Sequence, residues 1–308
     1  MDSTFQIKQL EFPNRKVDVV LDTDTFNEVD DQIALAYLIK SDEKLNLKAL
    51  YAAPFFNEKS TGPEDGMEKS YNEILNILSL MERDDLKEIV YKGSRQYLEE
   101  EVKPVISPAA EHLCQLAMNY STENPLYVIA IGAITNVASA ILLKPEIIEK
   151  IVVVWLGGSA YHWQDACGMQ EFNMVQDIAA ARVVFGSGVP LVQLPCMGVV
   201  STFTTTACEL EKFLKGKNKL CDYLYNLIIG EMEYWGGGET ASRILWDVTA
   251  VAWLLDESFM LSCLDHSPIP EYDSYYSFSK SRHFIRYVYH IYRDPIFKDL
   301  FSKLADSV

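Results

Sequence analysis

Apolar positions along this chain fall into two alternating kinds of stretch. Short, nearly continuous apolar runs recur at VDVVLD (17–22), LNLKALYAAP (45–54), PLYVIAIG (125–132), KIVVVWLGG (150–158) and VPLVQLP (189–195). Between them lie stretches with helical spacing. The clearest is EDGMEKSYNEILNILSLM (64–81), where Met67, Tyr71, Ile74, Leu75 and Leu78 form one stripe. Others begin near Ile33, after Gly132 and near Gln176. Strands that are apolar on both faces belong in a covered sheet, and strand–helix alternation predicts parallel pairing. The pattern therefore predicts an α/β, Rossmann-like fold: a mostly parallel sheet flanked by helices. Residues 207–256 turn helical, broken by YWGGGET (234–240), which reads as a mobile loop. Its glycines lack the spacing of a phosphate loop. The aromatic-rich end, YDSYYSFSKSRHFIRYVYHIYRDPIF, predicts one or two late strands in a packed edge hairpin. No repeat or linker is evident, so a single domain over 1–308 is expected.

In such sheets ligands sit beyond the carboxyl ends of the strands. Several predicted strands end in small or polar residues: Asp22 and Asp24, Asn57, Ile131-Gly132 and Gly157-Gly158. The first is the most telling. Asp22, Asp24, Asp30 and Asp31 crowd between an apolar strand and a helix start. Helix capping uses one or two carboxylates and leaves the strand-end DxD unexplained. A hard divalent cation, which prefers oxygen ligands, would relieve the repulsion.

Charge and cysteine usage narrow the class. The formal charge of −17 argues against nucleic acid, whose phosphates need clustered Lys and Arg. No apolar run reaches the length of a membrane span, and residues 1–16 lack the apolar core of a signal peptide. The six cysteines show no CxxC pair, which suits free thiols in a reducing cytoplasm.

The strand-DxD, loop, DD-helix order resembles the nucleoside hydrolase (N-ribohydrolase) family. Four further blocks resemble it in the same order: PLYVIAIGAITNVASAILLKPE, KIVVVWLGGSAY, EFNMVQDIAAARVVF and WDVTAVAWLL. The resemblance spans residues 17–255. It implies calcium-dependent hydrolysis of the N-glycosidic bond of ribonucleosides to free base and ribose. It also implies a homodimer or homotetramer. Asp24 would be both metal ligand and general base. Asp31, the carbonyl of Ile131 and Asp247 would complete the Ca²⁺ set, with Asp22 supporting from behind. Asp30, Asn57, Asp165, Glu171 and Asn173 would bind the sugar. Positive charge develops on the ribose as the bond breaks, and surrounding carboxylates suit that charge.

Three departures bear on this. The Asp24–Asp30 loop is two residues longer than the common form, with Thr25-Phe26 in place of Pro-Gly and an added Glu28. Asp165 stands where many members have Asn. Trp246 stands before Asp247 where nonspecific members carry His, which resembles the purine-preferring class and favours purine nucleosides slightly. Phe26, Tyr161, His162, Trp163, Tyr234 and Trp235 are candidates for a second stacking wall, and His162 is also a candidate acid. Blander readings stand beside these. Thr135 and Asn136 would be helix caps, Glu171 and Asn173 an ordinary turn, and Asp247 the partner of Arg243. Alternative functions are hydrolysis of another N-riboside (pyrimidine or nicotinamide), or calcium-dependent binding of a nucleoside or sugar without catalysis. A haloacid dehalogenase-type phosphotransferase also starts with strand-DxD, but Phe26 occupies the place of its usual Thr.

Overall fold

A computed structural model describes residues 3–163, 170–234 and 236–306. The main sheet uses eight strands. In chain order these begin with β1 (Val17–Thr23), β2 (Leu45–Ala52), β3 (Val90–Lys92), β4 (Leu126–Ala130), β5 (Ile151–Leu156) and β6 (Leu191–Leu194). Two short strands follow, β7 (Thr204–Thr206) and β8 (Ser242–Ile244), paired with each other. Then come β9 (Met260–His266), the two-residue β10 (Ile269–Pro270) and β11 (Tyr276–Ser277), and β12 (Phe284–Ile291). The sheet order is β3-β2-β1-β4-β5-β6-β12-β9, parallel except for the antiparallel β9–β12 edge. The expected mostly parallel α/β architecture is therefore present.

Alternation along the strands explains the two cores. Val19 and Leu21 of β1 join one buried cluster, and Val20 joins the other. Val152 and Val154 of β5 likewise oppose Val153 and Trp155. Both faces are covered, so the runs read as continuously apolar rather than alternating. Helix Pro63–Leu80 buries Met67, Ile74 and Leu78 of the predicted stripe together with Ile77, while Tyr71 and Leu75 pack partly buried at its edge.

Strand order reverses between β1 and β4. β1 leads to β2 on one side, and β4 leads to β5 on the other. Asp22 pairs with Ala130 across that line, and the Ile131 amide donates to the Asp22 carbonyl at 2.9 Å. The crevice beyond these strand ends is where such sheets bind ligands.

Three elements differ from the sequence expectation. β3 spans three residues, too short to carry a period. The late edge pairs β12 with β9, which lies before the aromatic-rich segment. The YWGGGET stretch holds the end of helix Lys219–Tyr234 and a 3-10 turn at Gly238–Thr240 instead of a plain loop. Trp235 lies outside the described residues. Among the described residues, no helix is long and apolar enough to cross a membrane.

Candidate active site

The site begins with a helix that has no polar face. Every residue of helix Val29–Ile39 is buried. Asp30 and Asp31 in its first turn therefore point into protein, at the positive end of the helix. β1 delivers Asp22 and Asp24 to the same place, and Asp247 arrives immediately before helix Val248–Ala252. All five are at least 96% buried. One carboxylate oxygen each from Asp30, Asp31 and Asp247 lies within 4.8 Å of the others.

Hydrogen bonds satisfy this set only in part. Asp22 Oδ1 accepts from Asn136 Nδ2 at 2.7 Å. Asn136 Oδ1 in turn accepts from the Ser94 amide and hydroxyl, both at 2.8 Å. Asn136 is thus a brace behind the site as well as a helix residue. Asp31 Oδ1 accepts from the Thr23 hydroxyl at 2.5 Å, and Asp30 Oδ2 from the Asp247 amide at 3.2 Å. Oδ2 of Asp22, both oxygens of Asp24 and Oδ1 of Asp30 are buried without a hydrogen-bond partner. Such atoms are costly to leave bare. Glycine at 132 makes room for them, because a Cβ there would lie 2.8 Å from Asp24 Oδ1.

Electrostatics follow from this crowding. Burial pushes Asp22 up to about 7, against the pull of its Asn136 hydrogen bond. Burial also pushes Asp31 up to about 7, against the Thr23 bond. Asp24 is raised well above the carboxylate range by burial and then by the charge of Asp31. Asp247 is raised by burial and by Asp30. Asp30 is raised by burial and Glu28, with Arg243 pulling the other way. Five buried carboxylates that resist ionisation, with four orphaned oxygens, fit a cation bound through oxygen. The set holds no histidine or thiolate of the kind zinc prefers.

A cavity of about 220 Å³ opens onto the cluster. Asp24, Asp30, Asp31, the Ile131 segment, Glu171, Asn173, Trp246 and Asp247 all line it. Glu171 is locked in place: its oxygens accept from the amides of Gly158 (2.7 Å), Asn173 (2.8 Å) and Met174 (3.0 Å). It therefore caps helix Phe172–Gln176, and burial pushes it up to about 7. Asn173 Nδ2 donates to the carbonyls of Ile131 and Leu156, both at 3.1 Å. The Ile131 carbonyl has a second lone pair for another partner. Asn57 is outside this wall and donates to Asn27, which lines it, at 2.6 Å. Asp165 lies outside the described residues.

Other candidates are sorted by the same geometry. Arg243 does not pair with Asp247; it binds Glu28 at 2.5 Å and Glu231 at 3.0 Å. Tyr161 stacks on Tyr287 and donates to Gln193 at 2.8 Å, away from the described wall. Phe26 is exposed at the surface, as are His162 and Trp163. Tyr234 lines a neighbouring groove. The cavity wall also contains Asn27, Leu156, Phe172, Cys196 and Met197, none of which carried a signal of its own. Leu156 ends β5, and Cys196 and Met197 follow β6, so the strand-end rule points to them.

The sequence profile of the inosine-uridine preferring nucleoside hydrolases matches residues 19–286. The chain belongs to that family and is a hydrolase acting on N-glycosidic bonds. Over 265 residues it is 28% identical to the pyrimidine-specific ribonucleoside hydrolase RihA of Enterobacter sp. (strain 638), covering 77% of this chain and 78% of that one. A plant nucleoside hydrolase shares the fold with a TM-score of 0.77 at 18% identity, over 94% of this chain and 99% of that one. The purine-preferring ribonucleoside hydrolase of Gardnerella vaginalis does so with a TM-score of 0.71 at 18% identity, over 94% and 98%.

Proposed function

We propose that this chain is a calcium-dependent ribonucleoside hydrolase that releases free base and ribose and slightly favours purine nucleosides. The observation that carries this reading is the trio of partnerless buried oxygens on Asp24 and Asp30, set among Asp31 and Asp247. Asp24, Asp31, Asp247 and the Ile131 carbonyl would hold the ion, with Asp22 bracing them through Asn136. A bound calcium would lower the pKa of a coordinated water and orient the sugar hydroxyls. Asp24 takes the proton from the attacking water. Asp30 accepts a hydrogen bond from a ribose hydroxyl. Glu171 and Asn173 present a rigid polar rim to the sugar, and Asn57 acts through Asn27. Asp165 is the remaining sugar-binding candidate. Fixed carboxylates around the ring stabilise the positive charge that develops on it.

Trp246 offers the base an aromatic wall, and Phe172 lines the same cavity. A pyrimidine preference is the second reading, favoured by the similarity to RihA. Five free cysteines among the described residues support a reducing, cytoplasmic setting. The family resemblance supports a homodimer or homotetramer.

The test is release of base and ribose from inosine, adenosine, guanosine, uridine, cytidine and 2′-deoxyinosine, with and without chelator. Wild type should cleave ribonucleosides, with inosine cleaved somewhat faster than uridine. Deoxyinosine should be a poor substrate, because its missing hydroxyl leaves buried polar groups unpaired. Asp24→Asn should lose about 10²- to 10⁴-fold in kcat, the usual range for a general base. Chelator-resistant hydrolysis, or full activity in Asp24→Asn, would sink the mechanism.

A further inference from the structure

The long Asp24–Asp30 loop is held from outside by a chain of ion pairs. Arg243, on β8, bridges Glu28 of that loop (2.5 Å) and Glu231 of helix Lys219–Tyr234 (3.0 Å). Lys59 bonds Glu231 at 3.2 Å and the carbonyl of Asn27 at 2.5 Å. Asn57 joins them by donating to Asn27 Oδ1. Two outside segments, β8 and residues 57–59, thus grip two adjacent loop residues, Asn27 and Glu28, with Glu231 tying the two together, and both loop residues line the cavity. Arg243 is not in the cavity wall, and its side chain is 15% exposed. A guanidinium fork can serve two carboxylates at once, which an ammonium does poorly. Glu28 belongs to the extra loop length, so this chain supplies both the slack and the device that removes it.

We propose that Arg243 is a positioning residue that clasps Glu28 to Glu231 and so holds the Asp24–Asp30 loop in the form that binds substrate. It acts on affinity and touches neither substrate nor ion. The proposal rests on the hydrolase reading for its kinetic test and on the loop alone for its second test. A protein whose competent form is only fractionally populated binds with affinity reduced by that fraction. Releasing the clasp so that about a tenth of molecules remain competent raises KM about ten-fold.

The experiment compares wild type with Glu28→Gln, Arg243→Met, Arg243→Lys and the exchanged pair Glu28→Arg/Arg243→Glu. KM for the best ribonucleoside should rise about ten-fold in Glu28→Gln and Arg243→Met, with kcat falling less than three-fold. Arg243→Lys should lie between, and the exchanged pair should recover part of the loss. Salt at about 1 M should raise the wild-type KM and leave Glu28→Gln nearly unmoved, because partly exposed pairs are screened. The Asn27 amide, which donates to the Asp24 carbonyl at 2.7 Å, reports the loop directly. Its hydrogen exchange should quicken in Arg243→Met while the β4 and β5 amides keep wild-type rates. Unchanged KM together with unchanged Asn27 exchange overturns the clasp. A wild type that cleaves no ribonucleoside overturns the hydrolase reading instead, and Asn27 exchange still decides the clasp.

Discussion

Replacing Asp247 by Asn should stabilise the cation-free protein and remove most of its response to calcium. Asp30, Asp31 and Asp247 bring oxygens within 4.8 Å of one another. At that separation two carboxylates repel by about 3.5 kcal/mol at an effective dielectric constant near 20. Proton uptake by the raised groups absorbs part of this, leaving relief of about 1–2 kcal/mol in the variant. The Asp30 hydrogen bond from the Asp247 amide is a backbone contact and survives the change. For a chain of this size the gain should raise Tm by about 1.5–3 °C in chelator. Calcium at about a hundred times Kd adds roughly 2.7 kcal/mol to wild type, whereas a site weakened a hundred-fold gains only about 0.4 kcal/mol. The assay is a pair of thermal melts, in chelator and in calcium, at one scan rate. The two proteins should exchange rank between the two conditions. An Asp247→Asn protein that melts lower in chelator and keeps the full calcium increment would refute the assignment of Asp247 to the ion set.

The same cluster sets a pH dependence. Without a cation, the folded protein keeps protons on Asp22 and Asp31 up to about 7, whereas unfolded aspartates release theirs near 3.9. Stability in chelator should therefore fall as pH rises from about 4 through about 7, and calcium affinity should rise across the same window; melts and calcium titrations at pH 5 and 8 check both signs. Gly132→Ala would place a methyl 2.8 Å from Asp24 Oδ1 and 3.2 Å from Ala53 Cβ, so stability should drop by about 1–3 kcal/mol, with activity falling more steeply, measured by denaturant titration and turnover of the same sample.

Residues close in sequence made half the site legible. Asp22, Asp24, Asp30 and Asp31 lie within one strand–loop–helix unit, so local pattern alone brought them together. Asp247 is different: it meets Asp30 from 217 residues away and stood out only through family resemblance. Cys196 and Met197 had no polar signature and entered the wall because β6 ends there. Asn57 follows β2 as expected, yet the turn after that strand places it behind Asn27. The Glu28–Arg243 pair joins residues 215 apart, and neither charge pattern nor period marks such a contact. For the same reason sequence proximity offers Arg243 to Asp247 as the blander alternative, and nothing local points it to a distant loop.

The actual partners of Arg243 matter for the chemistry. Had Arg243 paired directly with Asp247, the chain would neutralise more of its own acid cluster than its pull on Asp30 already does, leaving less need for an added cation. Arg243 instead spends its guanidinium on Glu28 and Glu231, a trio with net charge −1. No Lys or Arg lines the cavity among the described residues. Four of the five clustered aspartates therefore face a space to which the protein brings hydrogen-bond donors for some oxygens and, apart from the pull of Arg243 on Asp30, little positive charge. Protonation is one escape, and it disables Asp24 as a base. A divalent cation is the other, and it would leave Asp24 ionised for the role of base proposed above. The crowding that makes these carboxylates costly to ionise is thus what, on the proposed mechanism, would tie catalytic competence to a bound ion.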